Sequence, residues 1–137
     1  MSTEDNRRLI EHIYEQLSAG DSRALVDAMA EDVRWVVMGT TSWSGTYDGK
    51  QAVLGRLLTP LRALFADRYT ASAGRIVAEG DLVVAEVRGR VTTTTGMPYN
   101  QSYCFIFRIA GGKIAEMTEY LDTELVSAAL GERAASA

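Results

Sequence analysis

Apolar residues recur every three or four positions in three segments of the first half of the chain, which predicts three helices. The first runs from about Thr3 to Ser18, and Gly20 follows where a helix would end. The second is short and ends before Asp32. The third contains Pro60, which should kink or break it because proline removes a backbone donor. The apolar positions of this third helix are Val53, Leu54, Leu57, Leu58, Leu61, Leu64 and Phe65.

After Arg68 the pattern changes to strands separated by glycine-containing turns, which predicts an antiparallel meander. An earlier strand and a turn-rich loop precede it, and a short helix follows it. These segments are a strand at 33–38, a loop at 39–49, strands at 69–78, 82–94, 99–109 and 114–121, and a helix at 124–130. Helices on one side of a strongly curved sheet form an α+β domain that leaves an apolar pocket.

The chain has 137 residues, which fits one domain, and we expect a single domain over 1–137 with an ordered core of about 5–130. Its net charge is −4 and its 14 Lys and Arg residues are scattered. Nucleic-acid binding needs clustered basic residues, so the sequence argues against a nucleic-acid partner. A small apolar molecule or a protein partner is expected instead.

Cysteine and histidine are too scarce for the usual metal sites or for an intrachain disulfide. Cys104 and His12 are the only examples of each. We therefore expect no metal and no cofactor. The N-terminal residues are polar and no apolar run approaches the 18 residues of a membrane span, so we predict a cytoplasmic protein with no membrane partner.

The last predicted strand carries an acidic residue on an apolar face. Successive side chains of a strand point to opposite sides, so one side of this strand carries Ala115, Met117, Glu119 and Leu121. If that side packs on the helices, the Glu119 carboxylate loses hydration, which raises its pKa and suits it to proton transfer near neutral pH. The alternative is a glutamate satisfied by a buried Arg or Tyr, or one at a solvated strand end. Glu119 is the principal catalytic candidate.

The environment of Glu119 depends on the register of the hairpin at Gly111-Gly112, because a one-residue slip moves every side chain to the other face. A two-residue turn would place Tyr103 on the side of Asp122. A three-residue loop with a bulge at Gly112 would place Tyr103 with Glu119. We choose the bulge because it gives one coherent apolar face.

Charged residues on a neighbouring strand are further catalytic candidates. Glu86 and Arg88 share one strand face and form a charged pair beside Glu119 if that face is turned inward. In the alternative, Val83 and Val87 face inward and the charges face solvent or a partner subunit. The predicted pocket wall combines aromatic and apolar residues from both halves of the chain: Trp35, Val37, Trp43, Tyr103, Phe105, Met117 and Leu121.

Several short motifs resemble the SnoaL-like branch of the nuclear-transport-factor-2-like superfamily over about residues 5 to 130. They are Ala19-Gly20-Asp21, Glu31-Asp32-Val33, Trp43-Ser44-Gly45 before Gly49-Lys50, and Tyr103-Cys104-Phe105 through Gly112-Lys113-Ile114 to Glu119-Tyr120-Leu121-Asp122. The resemblance implies a cone of curved mixed sheet covered by helices, and dimerisation through the sheet. The superfamily includes ketosteroid isomerase, limonene-epoxide hydrolase, scytalone dehydratase and polyketide cyclases.

Known catalytic positions of these relatives are altered here. The base, the tyrosine and the second acid of ketosteroid isomerase fall at Val37, Ile13 and near Phe105, respectively. All three are apolar, so the resemblance does not imply steroid isomerisation. The last-strand aspartate of the epoxide hydrolase resembles Glu119, but its arginine and other aspartate fall at Glu86 and Arg88 with the charges exchanged.

Two functions from different classes stay open. The first is a cofactor-independent enzyme in which Glu119 gives or takes a proton on a small apolar substrate, with Arg88 and Tyr103 as partners. Isomerisation, cyclisation, dehydration and hydrolysis all fit such a site. The second is a non-catalytic dimeric module that binds an apolar ligand or a protein.

Overall fold

Residues 2–133 are described by a computed structural model with one mixed β-sheet and helices packed against it. The strands are β1 (Met29–Val37), β2 (Gly45–Asp48), β3 (Thr70–Glu79), β4 (Leu82–Arg90), β5 (Ser102–Ala110) and β6 (Lys113–Leu121). The helical elements are α1 (Thr3–Ser18), α2 (Arg23–Ala28), α3 (Lys50–Ala52), a π-helical segment (Val53–Leu58), α4 (Thr59–Arg62) and α5 (Thr123–Leu130). Met1 and residues 134–137 of the expected domain lie outside the described residues.

The sheet has six strands in the order β2-β1-β6-β5-β4-β3. Strands β3 to β6 form the predicted antiparallel meander, and β1 joins it in parallel beside β6. The sheet is therefore mixed, and the predicted α+β class is confirmed. Strand β2 was expected to be loop, because four residues are too few to display alternation; it is held by pairs such as Trp35 with Tyr47.

Helix α1 covers the inner face of the sheet. Ser2 caps its first turn in a capping box with Asp5, which satisfies two backbone donors at the start of the helix. Ile10 and Ile13 are fully buried, and they lie on the apolar stripe that predicted this helix. His12 is exposed on the other side of the helix.

The predicted third helix continues past Pro60 rather than breaking there. Pro60 lies near the start of α4 and has no N–H, so the continuing helix lacks one backbone hydrogen bond there. Just before it the helix widens, and the Thr59 N–H donates to the Leu54 carbonyl five residues back. The expected kink or break is thus replaced by a π-helical segment.

The hairpin between β5 and β6 differs from the one we predicted. Ala110 pairs with Lys113, so Gly111-Gly112 is a two-residue turn, and both glycines have positive φ, 57° and 77°. A turn of this kind needs two residues that adopt left-handed backbone, which glycine does at no steric cost. The predicted three-residue loop with a bulge at Gly112 is wrong.

A bulge is nevertheless present, further along β6. The register shifts between Arg108 and Ile109, and Ala115 is the extra residue on β6. This shift places Phe105 opposite Glu119, as expected from the coherent apolar face. It also turns Ile114 inward, where it is fully buried, although simple alternation had placed Ile114 on the opposite face from Glu119.

None of the helices within residues 2–133 has both the length and the apolar character needed to cross a membrane.

Candidate active site

A cavity of about 370 Å³ lies between the inner face of the sheet and the helices. This volume lies in the range of typical small-molecule sites. Its walls come from α1, α2, the π-helical segment, α4, α5 and the inner faces of β1, β5 and β6. The lining includes Glu119 and every residue predicted for the pocket wall: Trp35, Val37, Trp43, Tyr103, Phe105, Met117 and Leu121.

Glu119 is the acidic group placed within this apolar lining. Its residue surface is 8% exposed, and its Oε1 accepts a hydrogen bond of 2.9 Å from the Trp35 indole N–H. The parallel pairing of β1 with β6 sets Val37 beside Glu119 and Trp35 beside Met117, on the same face of the sheet. Among residues 2–133, Trp35 is the single hydrogen-bond donor to the Glu119 carboxyl group.

Burial raises the pKa of Glu119 from 4.5 to about 7, and the Trp35 hydrogen bond opposes the rise because it stabilises the carboxylate. A group with this pKa is present in both protonation states near neutral pH. It can therefore either accept or donate a proton there.

Tyrosine hydroxyls form a second polar group in the cavity wall. The Tyr69 hydroxyl donates to the Tyr103 hydroxyl at 3.1 Å, and Tyr14 and Tyr99 also line the cavity. Burial raises the pKa of Tyr103 well above 10, and the charge of Glu119 raises it further. These phenols therefore stay protonated at physiological pH.

Tyr69 and Tyr14 were not among the sequence-based site candidates. Tyr14 belongs to the apolar stripe of α1, and Tyr69 is the residue before β3. Both positions are typical of core aromatics, so no local signal separates them from ordinary packing residues. The contact of Tyr69 with Tyr103 spans 34 positions of the chain and is visible only in the fold.

Charged side chains lie at the margin of the cavity. Arg62, Asp67 and Arg68 are all exposed, so this margin opens to solvent. Arg62 donates to the Ser22 hydroxyl at 2.8 Å. The Asp67 carboxylate accepts from the backbone N–H of Thr92 at 2.8 Å.

Trp43 closes another part of the wall, next to the C-terminal residues. It is 5% exposed, and its indole N–H donates to the Gly131 carbonyl at 3.3 Å. The guanidinium group of Arg133 lies 5.3 Å from the centre of the Trp43 ring, a cation–π distance. These contacts hold the segment after α5 against the loop before β2.

The structure contradicts the placement of Glu86 and Arg88 as a charged pair beside Glu119 and has the alternative arrangement, with these side chains turned outward. Val83 and Val87 face the core, so Glu86 and Arg88 lie on the outer face of β4 and are exposed. Glu86 pairs with Arg75 of β3 instead, through a hydrogen bond of 2.9 Å to Arg75 Nη2 and a second to Nε. Two-residue periodicity had put Glu86 and Arg88 on one face, and burial of the valines turned that face outward.

Asp122, the acid that shares a face with Tyr103 in the other hairpin register, caps a helix. Its carboxylate accepts a hydrogen bond of 3.2 Å from the Leu125 N–H and caps α5. The buried amide of Gln101 holds the same residue by its backbone, accepting from the Asp122 N–H and donating to its carbonyl.

No group of three His, Cys, Asp or Glu side chains that could hold a metal ion occurs in the part of the chain that the structure describes. Ile13, Val37 and Phe105, the positions that the resemblance to ketosteroid isomerase singled out, are buried and apolar.

Comparison with known families agrees with this architecture. The sequence profile of the SnoaL-like domain matches residues 10–117, which is most of the chain. This protein belongs to the SnoaL-like domain family. No curated protein matches the sequence significantly.

Solved structures share the fold at low sequence identity. An NTF2-like protein from Burkholderia thailandensis is 24% identical, with a TM-score of 0.78 over 95% of this chain and 98% of that chain. A proposed SnoaL-like polyketide cyclase from Jannaschia is 16% identical, with a TM-score of 0.75 over 94% and 93%. TerC, co-crystallised with polyporic acid, is 21% identical, with a TM-score of 0.76 over 92% and 98%.

Proposed function

We propose that this SnoaL-like protein is a cofactor-independent enzyme in which Glu119 transfers a proton to or from a small, largely apolar substrate. The observation that carries the proposal is the placement of Glu119 in the wall of an apolar cavity, with one carboxyl oxygen held by Trp35. Isomerisation, cyclisation, dehydration and hydrolysis each include a proton transfer of this kind.

The surroundings of Glu119 favour an enzyme over a passive binding module. A glutamate kept only for structure would be expected to pair with a buried cation, yet Arg88 is exposed on the far side of β4. A carboxylate in an apolar wall without such a partner lowers stability above neutral pH, and such a cost is typical of functional sites.

Each oxygen of Glu119 has a separate part in the proposed reaction. Oε1 accepts from the Trp35 indole, which orients the carboxyl group. Oε2 has no donor among residues 2–133 and is the oxygen that exchanges a proton with substrate. Apolar neighbours such as Val37 and Phe105 exclude water, so the proton transfer takes place in a medium of low polarity.

Two of the structural relatives bear on the substrate. One was proposed as a polyketide cyclase and another was crystallised with polyporic acid. These assignments belong to those proteins. Together with the aromatic lining of the cavity, they support a small, largely apolar organic molecule as the substrate here.

The Glu119 role can be tested with 5-nitrobenzisoxazole, a flat apolar probe. A base removes the proton on ring carbon 3, the freed electron pair forms the nitrile, and the N–O bond breaks to release a coloured phenolate. We expect Glu119→Gln to lower the rate at pH 8 by roughly 10²- to 10⁴-fold. The wild-type rate should rise with pH around 7, where the carboxyl group loses its proton.

Asp67→Asn is the matched control, because Asp67 is the other carboxylate in the described lining of the same cavity. It should leave the rate within about threefold of wild type. A Glu119→Gln rate within about tenfold of wild type would remove Glu119 as the base and would favour the binding module, provided that the probe still binds.

We further propose that two copies of this chain associate through the outer face of the sheet. Cross-strand neighbours there include Val84 with Ile106 and Cys104 with Tyr120, and Tyr120 is 44% exposed. Light scattering at micromolar concentration should give twice the chain mass of 14.9 kDa, and Ile106→Glu should halve it. A wild-type mass of one chain would refute this association.

We also propose that the protein is located in the cytoplasm, because a single cysteine suits a reducing compartment.

A further inference from the structure

We infer that the hydroxyl pair of Tyr69 and Tyr103 is a binding subsite for a carbonyl oxygen, and that the substrate is therefore an apolar carbonyl compound such as an aromatic ketone. This inference rests on the proposed function, because it concerns the same cavity. It adds a second polar contact for the substrate, separate from Glu119.

The two tyrosine side chains are held in place by aromatic stacking and by a close approach to Gly89. The Tyr69 ring stacks on Phe65 at 5.7 Å between centroids, and the Tyr103 ring stacks on Phe105 at 5.1 Å. Gly89 of β4 lies against both tyrosines. A Cβ atom built on Gly89 would lie 2.6 Å from the Tyr69 hydroxyl oxygen and 3.1 Å from a Tyr103 ring carbon.

Gly89 is not required here by its backbone conformation, because its φ is not positive. The missing side chain instead creates the space that lets the Tyr69 hydroxyl approach Tyr103. Gly89 therefore allows the hydroxyl pair to form on the cavity wall.

The chemistry of the pair selects a ligand that accepts a hydrogen bond. Tyr69 and Tyr103 share one hydrogen bond between their hydroxyl groups, so one of the two hydroxyl protons remains for another acceptor. A buried hydroxyl without an acceptor is unfavourable, so a ligand that supplies one gains affinity.

A neutral oxygen suits this position better than an anion. The Glu119 carboxylate faces the same cavity, and the arginines in the described lining, Arg62 and Arg68, are exposed at its margin. A second buried negative charge would lack a compensating cation. A carbonyl group accepts a hydrogen bond, brings no charge and has no proton that needs its own acceptor.

The register of the sheet separates the two polar contacts. Tyr103 lies opposite Leu121, and Phe105 lies opposite Glu119. Tyr103 and Glu119 are thus diagonal neighbours on one face, roughly 7–8 Å apart between their Cα atoms. A molecule of one or two fused rings is long enough to contact both side chains.

The inference can be tested with 1-tetralone labelled with ¹³C at its carbonyl carbon, and with tetralin, which has the same ring system without the oxygen. We expect the carbonyl resonance of bound 1-tetralone to move downfield of its position in hexane, as hydrogen-bond donation requires. In the Tyr69→Phe/Tyr103→Phe double variant the resonance should return toward the hexane value. Calorimetric affinity for 1-tetralone should fall roughly two- to tenfold, with tetralin affinity unchanged.

Gly89→Ala provides a second variant that removes no hydroxyl. The added methyl group should displace Tyr69 and reduce the carbonyl shift, whereas Gly74→Ala, with its nearest contact at an ordinary 3.7 Å, should leave it unchanged. The inference is overturned if the wild-type shift equals that in hexane, or if the double variant weakens both ligands equally.

The two proposals fail separately. If Glu119→Gln abolishes ring opening of 5-nitrobenzisoxazole but tyrosine removal leaves the carbonyl shift unchanged, the subsite is wrong and the acid–base role stands. If the shift depends on the tyrosines but ring opening does not depend on Glu119, the cavity binds carbonyl compounds and the proposed catalysis is wrong.

Discussion

At the scale of single residues, Glu119 is subject to two influences that act in opposite directions on its pKa. Burial raises the pKa because the cavity wall hydrates a carboxylate poorly, and the Trp35 N–H lowers it because it donates to that carboxylate. Burial is the larger effect, so the pKa settles at about 7. Trp35 thus acts as a positioning residue that also tunes the acid.

Removing the indole N–H should raise the pKa of Glu119 further. We expect Trp35→Phe to shift it upward by about one to two units, since a hydrogen bond to a charged group is worth about 1.5–3 kcal/mol. The measurement is an NMR titration of side-chain-labelled glutamate. Trp43→Phe is the control, because the Trp43 N–H donates to Gly131 rather than to Glu119. An unchanged titration in Trp35→Phe would contradict the assigned role of this bond.

At the scale of elements, strand β6 and the helix that follows it fix the orientation of the acid. The bulge at Ala115 brings Met117 and Glu119 onto the inner face, opposite Phe107 and Phe105. The strand then ends, and Asp122 starts α5, which covers one side of the cavity with Val126. The two acidic residues near the strand end therefore have different parts, one facing the cavity and one capping a helix.

Because Asp122 caps α5, we expect its replacement to lower the stability of the fold without a direct effect on catalysis. Asp122→Ala should lower the free energy of unfolding by about 1 kcal/mol, since the Leu125 N–H loses its acceptor. Asp122→Asn should lose much less, because an asparagine side chain also caps a helix. Urea denaturation of both variants measures the difference. Equal losses in the two would show that charge, rather than the cap, stabilises α5.

At the scale of the whole molecule, the buried acid couples folding to pH. The folded state holds the Glu119 proton up to about pH 7, whereas the unfolded chain releases it near pH 4.5. Between these values the folded state binds more protons, so stability falls as pH rises. The contribution of Glu119 is fully present below pH 4.5 and is lost by the time the pH exceeds about 7.

Replacing this residue should therefore remove a pH-dependent loss of stability. The quantity to compare is the free energy of unfolding of Glu119→Gln minus that of wild type. We expect this difference to increase by about 3 kcal/mol from pH 4 to pH 8, because the Glu119 pKa is about 7 in the folded protein and 4.5 in the unfolded chain. Glu79→Gln, at an exposed strand end, controls for the loss of one charge. A difference between Glu119→Gln and wild type that stays constant with pH would show that Glu119 ionises normally in the folded protein.

Local periodicity predicted most of the elements of the domain, though not β2 or the π-helical segment, and it revealed the unusual position of Glu119. The helix stripe of α1, the strand segments after Arg68 and the turn glycines are short-range signals, because each depends on residues only a few positions apart. The same signals revealed one acid on an apolar strand face. Inward-facing positions of neighbouring strands line one cavity, and the residues named for the pocket wall are among those that line it.

Long-range packing decided the rest. The position of the bulge at Ala115, the outward direction of Glu86 and Arg88, and the pairing of Tyr69 with Tyr103 all depend on which strands and faces meet. The Trp35 donor lies 84 positions from Glu119 in the chain, so the sequence holds both residues without showing their contact. Alternation states which residues share a face, but only the assembled sheet and helices determine which face is buried, and burial sets the pKa of the acid.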